Sequence, residues 1–475
     1  MARIQIGDGL SNYGWIGDFY NWDLSIQSSS DTQVVFEDSS GSIGIVHGTD
    51  LVLDGTAFTA GKVTGVEFIS GNGDALITVT EGNYKAKSIN SHNLWEFLTK
   101  LTAGDDQIIG SNFGSDLHIG DNRGDDRIIA GADGSYMAGS EGRDVYKGGA
   151  GWDTLSYRDA YGQNGAKRGV VIDAAKGVAT DPWGDKDKFS GVEEYQGSLR
   201  TDTMTGSKND DMFMGVAGKD VIDGGKGWDT VRYHRDERYG GEHGIVADLS
   251  KGRIVDGFGD ADKVTGIEAV FGTYFDDVFK GDGKDNQFRG LSGVDSFDGG
   301  KGTDEVSFEW GEDLGQHGVK VDLTLASGQI IDDGFGNTEQ AIRIEAITGS
   351  DFGDEIRLGA SKGWVDGRGG DDRLTAGAKE NIMTGGSGAD TFVFLSAADS
   401  LKGTVERDFI TDFSHAEGDR IDLSAFGGIS FAGNISVSVN SDGNTIVTVD
   451  LAGESDLQFL LKGNIDLEAS DFIFA

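Results

Sequence analysis

Residues 139–156 read GSEGRDVYK and then GGAGWDTLS, two back-to-back copies of a nine-residue pattern, G-G-x-G-x-D-x-U-x, in which U is large and apolar. Six residues make a glycine-rich turn and three are left for a short strand. Glycine is needed where the backbone takes φ > 0 and where carbonyl oxygens converge. The Asp at position six, Asp144 and then Asp153, adds a carboxylate to that convergence, and position eight, Tyr146 and then Leu155, is predicted to point inward. Two copies form one coil, so turns i and i+2 stack on one edge, about 4.8 Å apart like neighbouring strands. A cage built only of oxygens suits a hard cation, Ca²⁺ above all.

The copies fall into four blocks. The first starts imperfectly, with Asp106, Asp116 and Asp126 at position six in ten-residue spacing, then Ser135, Asp144 and Asp153 in strict register with Gly139, Gly142, Gly148, Gly149 and Gly151. The second (197–232) offers Asp202, Asp211, Asp220 and Asp229 with Gly215, Gly218, Gly224, Gly225 and Gly227. The third (272–307) offers Asp277, Asn286, Asp295 and Asp304 with Gly290, Gly293, Gly299, Gly300 and Gly302. The fourth (349–393) offers Asp354, Gly363, Asp372, Asn381 and Asp390 with Gly367, Gly370, Gly385, Gly386 and Gly388. Stacking predicts two carboxylates at each of Asp126/Asp144, Asp202/Asp220, Asp211/Asp229, Asp277/Asp295, Asp354/Asp372 and Asp372/Asp390. Ser135/Asp153 and Asn286/Asp304 have one, and Gly363/Asn381 has none. One apolar residue per nine contributes about 1.5–3 kcal/mol on burial, while ordering nine residues costs about 1–2 kcal/mol each. Such a roll is expected to fold only with its metal.

Between the blocks lie segments that resemble one another: 170–198, 245–273 and 319–350. Each reads as a strand, a Gly-Asp turn, and an apolar-Glu step into the next block. They are expected to continue the stack without calcium or to lie on its side as flaps. Glu193, Glu194 and Glu268 within them read as solvated turn residues. Tyr157, Tyr233 and Phe308 end successive blocks as hydrophobic closure. Residues 1–100 read as short strands (32–37, 42–47, 51–53, 63–70, 75–80) with a helix over 93–101. They are predicted to form a sandwich or flap stacked on the first coil. The aromatic cluster Tyr13, Trp15, Phe19, Tyr20 and Trp22 reads as packing. At the other end, 435–451 reads as a hairpin around Ser-Asp-Gly-Asn, with 457–463 as a third strand. The expected fold is all-β: Ca-binding parallel β-roll blocks (101–157, 197–233, 272–308, 349–394) separated by β inserts (158–196, 234–271, 309–348). An N-terminal β-rich cap (1–100) precedes them and a C-terminal β module (395–475) follows.

Composition narrows the function. Asp and Glu number 81 against 40 Lys and Arg, a net charge of −41, which argues against nucleic acid and anionic membranes as partners. No Cys is present, so thiol chemistry and disulfides are excluded. No apolar run approaches the length of a membrane span, and the start, MARIQIGDGLSNYGW, does not read as a cleavable secretory leader.

On these repeats the chain resembles the RTX family of secreted proteins, with the nonapeptide as its calcium-binding signature. Its end is similar to the C-terminal module of serralysin-type proteases. Asp408-Phe409-Ile410-Thr411-Asp412-Phe413, Gly418-Asp419-Arg420-Ile421-Asp422-Leu423-Ser424 and Asp471-Phe472-Ile473-Phe474 stand where that family has D-x-I-x-D-F, G-x-D-K-I-D-L-S and an Asp before three apolar residues. One residue between the Gly and the Asp is absent here, and Ala475 is extra. The resemblance implies an uncleaved signal read by a type I secretion exporter, and a secreted, extracellular or cell-surface protein that folds on calcium outside the cell. The protease motif H-E-x-x-H is not formed by any of His47, His92, His118, His234, His243, His317 and His415, and no G-x-S-x-G is present. The expected role is therefore a surface adhesin or polysaccharide-binding protein, with Trp152, Trp228 and Trp364 placed in turns. A polysaccharide-modifying enzyme (epimerase, lyase or hydrolase) and a membrane-active RTX protein are the alternatives.

Overall fold

The structure, a computed structural model, describes residues 3–6, 25–37, 43–54, 57–69, 75–80, 84–85, 106–109, 115–117, 124–132, 134–158, 166–309, 315, 317–401, 407–451 and 455–475. The helix expected over 93–101 and the aromatic cluster at 13–22 lie outside these residues. Two compact units divide the chain, residues 1–231 with 262–266, and 232–261 with 267–475.

In the first unit the three-residue strands stack in two parallel walls. One wall carries Gln107–Ile109, Arg127–Ile129, Val145–Lys147 and Lys186–Ser190. The other carries Ser115–Leu117, Ser135–Ala138, Thr154–Ser156, Glu194–Gln196, Met212–Met214 and Thr230–Arg232. The register is the repeat itself: Ile128 pairs with Tyr146 and Met137 with Leu155, eighteen residues apart. Position eight supplies the core as predicted, with Met137, Leu155, Tyr146, Met204, Phe213 and Ile222 all fully buried. The insert is part of the stack. Its strand Lys186–Ser190 extends the first wall and Glu194–Gln196 extends the second. Its hairpin, Val171–Asp173 with Val178–Thr180, leads on in parallel to Thr203–Thr205 and Val221–Asp223.

The described N-terminal strands meet the first coil through strand pairing. Ser25–Ser29, Gln33–Glu37, Ile43–Asp54, Ala57–Ile69 and Ala75–Thr80 form an antiparallel meander. Arg3–Ile6 pairs antiparallel with its last strand and parallel with Gln107–Ile109, so the meander joins the first wall edge to edge.

The second unit repeats the design. One wall runs through Ala269–Phe271, Gln287–Arg289, Glu305–Ser307, Ala346–Thr348, Gly363–Asp366, Asn381–Thr384, Phe409–Ile410 and Leu457–Leu461. The predicted hairpin then closes it, with Thr445–Val449 and Ile435–Val439 antiparallel. The opposing strands include Val278–Lys280, Ser296–Asp298 and Gln340–Ile342. Further along they are Glu355–Arg357, Arg373–Thr375, Thr391–Val393, Arg420–Asp422 and Phe472–Ile473. Phe279 and Phe297 stack at 5.0 Å with an interplanar angle of 7°, and Phe288 packs against both.

Candidate metal centres

Every turn ends on position six, and the backbone turns that side chain under the glycine arc. Asp106, Asp126, Asp144, Asp153, Asp202, Asp211, Asp220, Asp229, Asp277, Asp295, Asp304, Asp354, Asp372 and Asp390 are all at most 3% exposed. The arc is set by residues in the left-handed region. At position four, Gly142, Gly218, Gly227, Gly293, Gly302 and Gly388 have φ between 130° and 140°. At position two, Val216, Leu291 and Arg368 take φ of 71–73° where Gly225, Gly300 and Gly386 take 96–99°. At Gly215 and Gly206 position one must lack a side chain, because a Cβ at Gly215 would collide with the Asp220 carboxylate and one at Gly206 would stand 2.9 Å from Asp211 Oδ2 and against the Gly224 carbonyl.

The two carboxylate oxygens have different surroundings. Oδ1 accepts the backbone N–H of the position-six residue one coil earlier. The N–H groups of Asp126, Asp202, Asp211, Asp277 and Asn286 donate to Asp144, Asp220, Asp229, Asp295 and Asp304 at 2.7–2.9 Å. Asp354 donates to Asp372 and Asp372 to Asp390 in the same way, at 2.7 and 2.9 Å. In the first coil of a block Oδ2 accepts an N–H of its own turn, as from Ser198 to Asp202, Thr273 to Asp277 and Ser350 to Asp354. Farther along, Oδ2 of Asp295, Asp304, Asp372 and Asp390 is buried with no hydrogen-bond partner, whereas at Asp153 Oδ2 accepts the Gly149 N–H at 2.7 Å and Oδ1 is the oxygen without one. Burial, with the charges of Asp354, Asp390 and Asp366 adding to it, pushes the Asp372 carboxyl up to about 9, and burial pushes those of Asp144, Asp304, Asp354 and Asp390 up to about 6. A buried carboxylate with an orphaned oxygen needs a proton or a cation, and the carbonyls beside position one complete an oxygen-only donor set. The residues therefore fit Ca²⁺. Among the described residues no three His, Asp or Glu side chains converge on one point, so the carbonyls would carry much of the coordination.

Some residues stand elsewhere than the spacing predicts. Strand pairing sets Ser115, not Asp116, opposite Ser135, which moves Asp116 one place past position six. The ten-residue spacing of the first copies hides this shift. The inserts and the C-terminal module also carry acids that the nonapeptide did not reveal. Asp187 Oδ1 accepts the Asp144 N–H at 2.9 Å, Asp262 Oδ1 that of Asp220 at 2.9 Å, and Glu339 Oε1 that of Asp295 at 3.0 Å. Glu193 and Glu345 accept from Asp153 and Asp304 at 3.0 and 3.1 Å. Asp408 and Asp419 accept from Asn381 and Asp390 at 2.7 and 3.0 Å. Alignment of the inserts with one another shows the signal, since Asp187, Asp262 and Glu339 share one column and Glu193, Glu268 and Glu345 another. Glu194 and Glu268 are buried rather than solvated. Glu194 accepts from Thr154 Oγ1 at 3.2 Å and Gln196 Nε2 at 2.8 Å, which offsets its burial. Tyr157 does more than close its coil, for its hydroxyl donates to Asp187 Oδ2 at 2.7 Å.

Residues 53–473 match the family model described as Peptidase M10 serralysin C terminal. The chain belongs to that family. It is an RTX-type protein, and its turns are those of a calcium-binding β-roll. Comparison with curated proteins gives no match. Among solved structures, the AlgE6R3 subunit of an Azotobacter vinelandii mannuronan C5-epimerase is 32% identical over 28% of this chain and 78% of its own, with a TM-score of 0.25. The AlgE6R2 subunit of the same organism's mannuronan C5-epimerase is 34% identical over 28% of this chain and 93% of its own, with a TM-score of 0.22. The extracellular lipase LipA of Serratia marcescens is 11% identical over 94% of this chain and 84% of its own, with a TM-score of 0.17. No helix among the described residues is long and apolar enough to cross a membrane.

Proposed function

We propose that the chain is a secreted protein that folds on extracellular Ca²⁺ and then acts as a surface adhesin or polysaccharide-binding protein. The observation that carries the calcium part is the row of fully buried carboxylates whose second oxygen has no partner at Asp295, Asp304, Asp372 and Asp390. Inside a cell, where calcium is scarce, their mutual repulsion would keep the roll open and fit for a type I exporter. Outside, the ion replaces the repulsion with coordination.

The binding part draws support from two rings. Trp152 and Trp228 both occupy position five of a turn, and they are 50% and 40% exposed. Their strands, Thr154–Ser156 and Thr230–Arg232, belong to one wall and are separated by Glu194–Gln196 and Met212–Met214. Three strand steps put the rings roughly 14 Å apart, a spacing suited to stacking on separate rings of one sugar chain. The buried Glu194 and Glu305 are fully engaged, Glu305 by Thr348 Oγ1 at 2.7 Å and Gln287 Nε2 at 2.8 Å, an arrangement that favours a structural role over acid–base work. The test is sedimentation of purified protein with the producer's capsular and exopolysaccharides, in Ca²⁺ and in EGTA. Calcium-dependent co-sedimentation with an unchanged polymer, lost in the Trp152→Ala/Trp228→Ala double variant, is expected. A shortened or altered polymer would instead identify an enzyme.

A further inference from the structure

We propose that the tight turns by which the first and third inserts re-enter the roll, Gly191–Glu193 and Arg343–Glu345, are additional calcium sites outside the nonapeptides. In a regular coil six residues lead from position one to position six. At these turns the chain reaches its acid only two residues after the turning carbonyl, and the acid is Glu, one methylene longer than Asp. Glu345 Oε2 accepts the Asp304 N–H at 3.1 Å, while the Glu345 and Ala346 N–H groups donate to the Asp304 carbonyl at 3.0 Å. The first insert repeats this clamp: Glu193 Oε2 accepts the Asp153 N–H at 3.0 Å, and the Glu193 and Glu194 N–H groups donate to the Asp153 carbonyl at 3.1 Å.

The observation that points to a ligand is Asp304, which is 0% exposed with no partner for Oδ2. That oxygen and the Arg343 carbonyl converge on one small space. A Cβ on Gly299 would stand 2.6 Å from Asp304 Oδ2 and would collide with the Arg343 oxygen. The same carbonyl stands against position one at the other inserts. A Cβ on Gly148 would collide with the Gly191 oxygen and stand 2.8 Å from Asp153 Oδ2. That carboxylate oxygen accepts the Gly149 N–H at 2.7 Å, so the buried oxygen without a partner there is Asp153 Oδ1. A Cβ on Gly224 would collide with the Gly266 oxygen. The three turning residues hold φ of 64°, 61° and 53° at Gly191, Gly266 and Arg343. The third is not glycine, so the carbonyl's direction is kept even where the side chain makes it costly. Neighbouring charge is mostly negative: Asp282 and Asp285 both act on Asp304, and the Arg343 guanidinium, which also acts on Glu345, is paired with Asp298. The Asp304 carboxylate, the Arg343 carbonyl and the Glu345 carboxylate are all hard oxygens of the kind calcium takes.

The proposal rests on calcium being the ion of the nonapeptide turns, and the experiment separates the two. Native mass spectrometry counts the ions held by the full chain at saturating Ca²⁺, for wild type and for Glu193→Gln/Glu345→Gln. Glutamine keeps an oxygen to accept the Asp N–H, so the variant removes charge and leaves the clamp. Two fewer ions per chain are expected. An unchanged count overturns the proposal, and a wild type that holds no calcium overturns the reading beneath it. Crystals of the wild type grown in Ca²⁺ give a measurement free of folding effects. Anomalous density between Asp304 and the Arg343–Glu345 turn, and at its counterpart beside Gly191, is expected, and its absence from both turns overturns the proposal.

Discussion

Asp372 gives the sharpest test of the idea that these carboxylates oppose the fold until an ion arrives. The substitution is Asp372→Asn. Asparagine retains Oδ1 to accept the Asp354 N–H, now at 2.7 Å, and places an amide where the orphaned Oδ2 stands. Asn286 and Asn381 already occupy position six fully buried, so the shape is accepted. Burial, then Asp354 and Asp390, raise the Asp372 carboxyl to about 9 in the metal-free fold, against 3.8 ordinarily. A folded-state value above the unfolded one means stability that is full below about 4 and lost as pH rises toward 9. At pH 7.5 the loss reaches about 5 kcal/mol at 1.36 kcal/mol per unit, and screening at the edge of the turn brings the expectation to about 2–5 kcal/mol. At pH 5 the same arithmetic leaves at most about 2 kcal/mol. Asparagine avoids this loss. In EGTA at pH 7.5 the variant is expected to be more stable than wild type, by a margin that shrinks toward pH 5. In saturating Ca²⁺ the order reverses, because Asp372 serves the pairs with both Asp354 and Asp390, and each tenfold loss of affinity costs about 1.4 kcal/mol. Circular dichroism followed from urea into trimethylamine oxide covers both regimes. A variant less stable than wild type in EGTA as well as in calcium would refute the reasoning.

Two further substitutions test the packing. Phe297→Ala removes a fully buried ring from the stack with Phe279 and Phe288, and it is expected to cost about 3–5 kcal/mol in thermal melts with calcium present. Tyr157→Phe deletes the donor to the buried Asp187 Oδ2. A loss of about 1–3 kcal/mol is expected in calcium, and no change in the melt would show that the hydroxyl is dispensable.

The sequence made the roll legible because its period and its chemistry agree: among the described side chains, position eight is buried from Ile108 to Ile421, and the eighteen-residue register appears in the pairing. The acids of the inserts were less legible, for Glu193 and Glu345 reach the stack through shortened turns that break the spacing by which Asp153 and Asp304 are recognised. In the N-terminal meander, 42–47 and 51–53 read as separate strands. The structure joins them as Ile43–Asp54 through register shifts at His47/Gly48 and Thr49/Val52, with Asp50 at φ 53°. A bulge of this kind interrupts the alternation of side chains without ending the strand, so a pattern of period two cannot show it.

Within the second unit, the demand for calcium falls unequally on the two edges. On one edge Asp354, Asp372, Asp390 and Asp419 stack, each supplying Oδ1 to the N–H before it. The other edge runs Gly363, Asn381 and Asp408. Asn381 is neutral, its Oδ1 taken by the Gly377 N–H at 2.7 Å and its own N–H given to Asp408 at 2.7 Å. That edge keeps the backbone ladder with one position-six acid, Asp408, and it leads through Phe409–Ile410 into Leu457–Leu461 and the C-terminal hairpin. Fewer like charges must be neutralised there. As calcium is withdrawn, amides of Asn381–Thr384 are therefore expected to keep protection from hydrogen exchange at concentrations where those of Arg373–Thr375 and Thr391–Val393 have lost it. If both walls lost protection at one calcium concentration, position six would set where ions bind without dividing the work of folding between the edges.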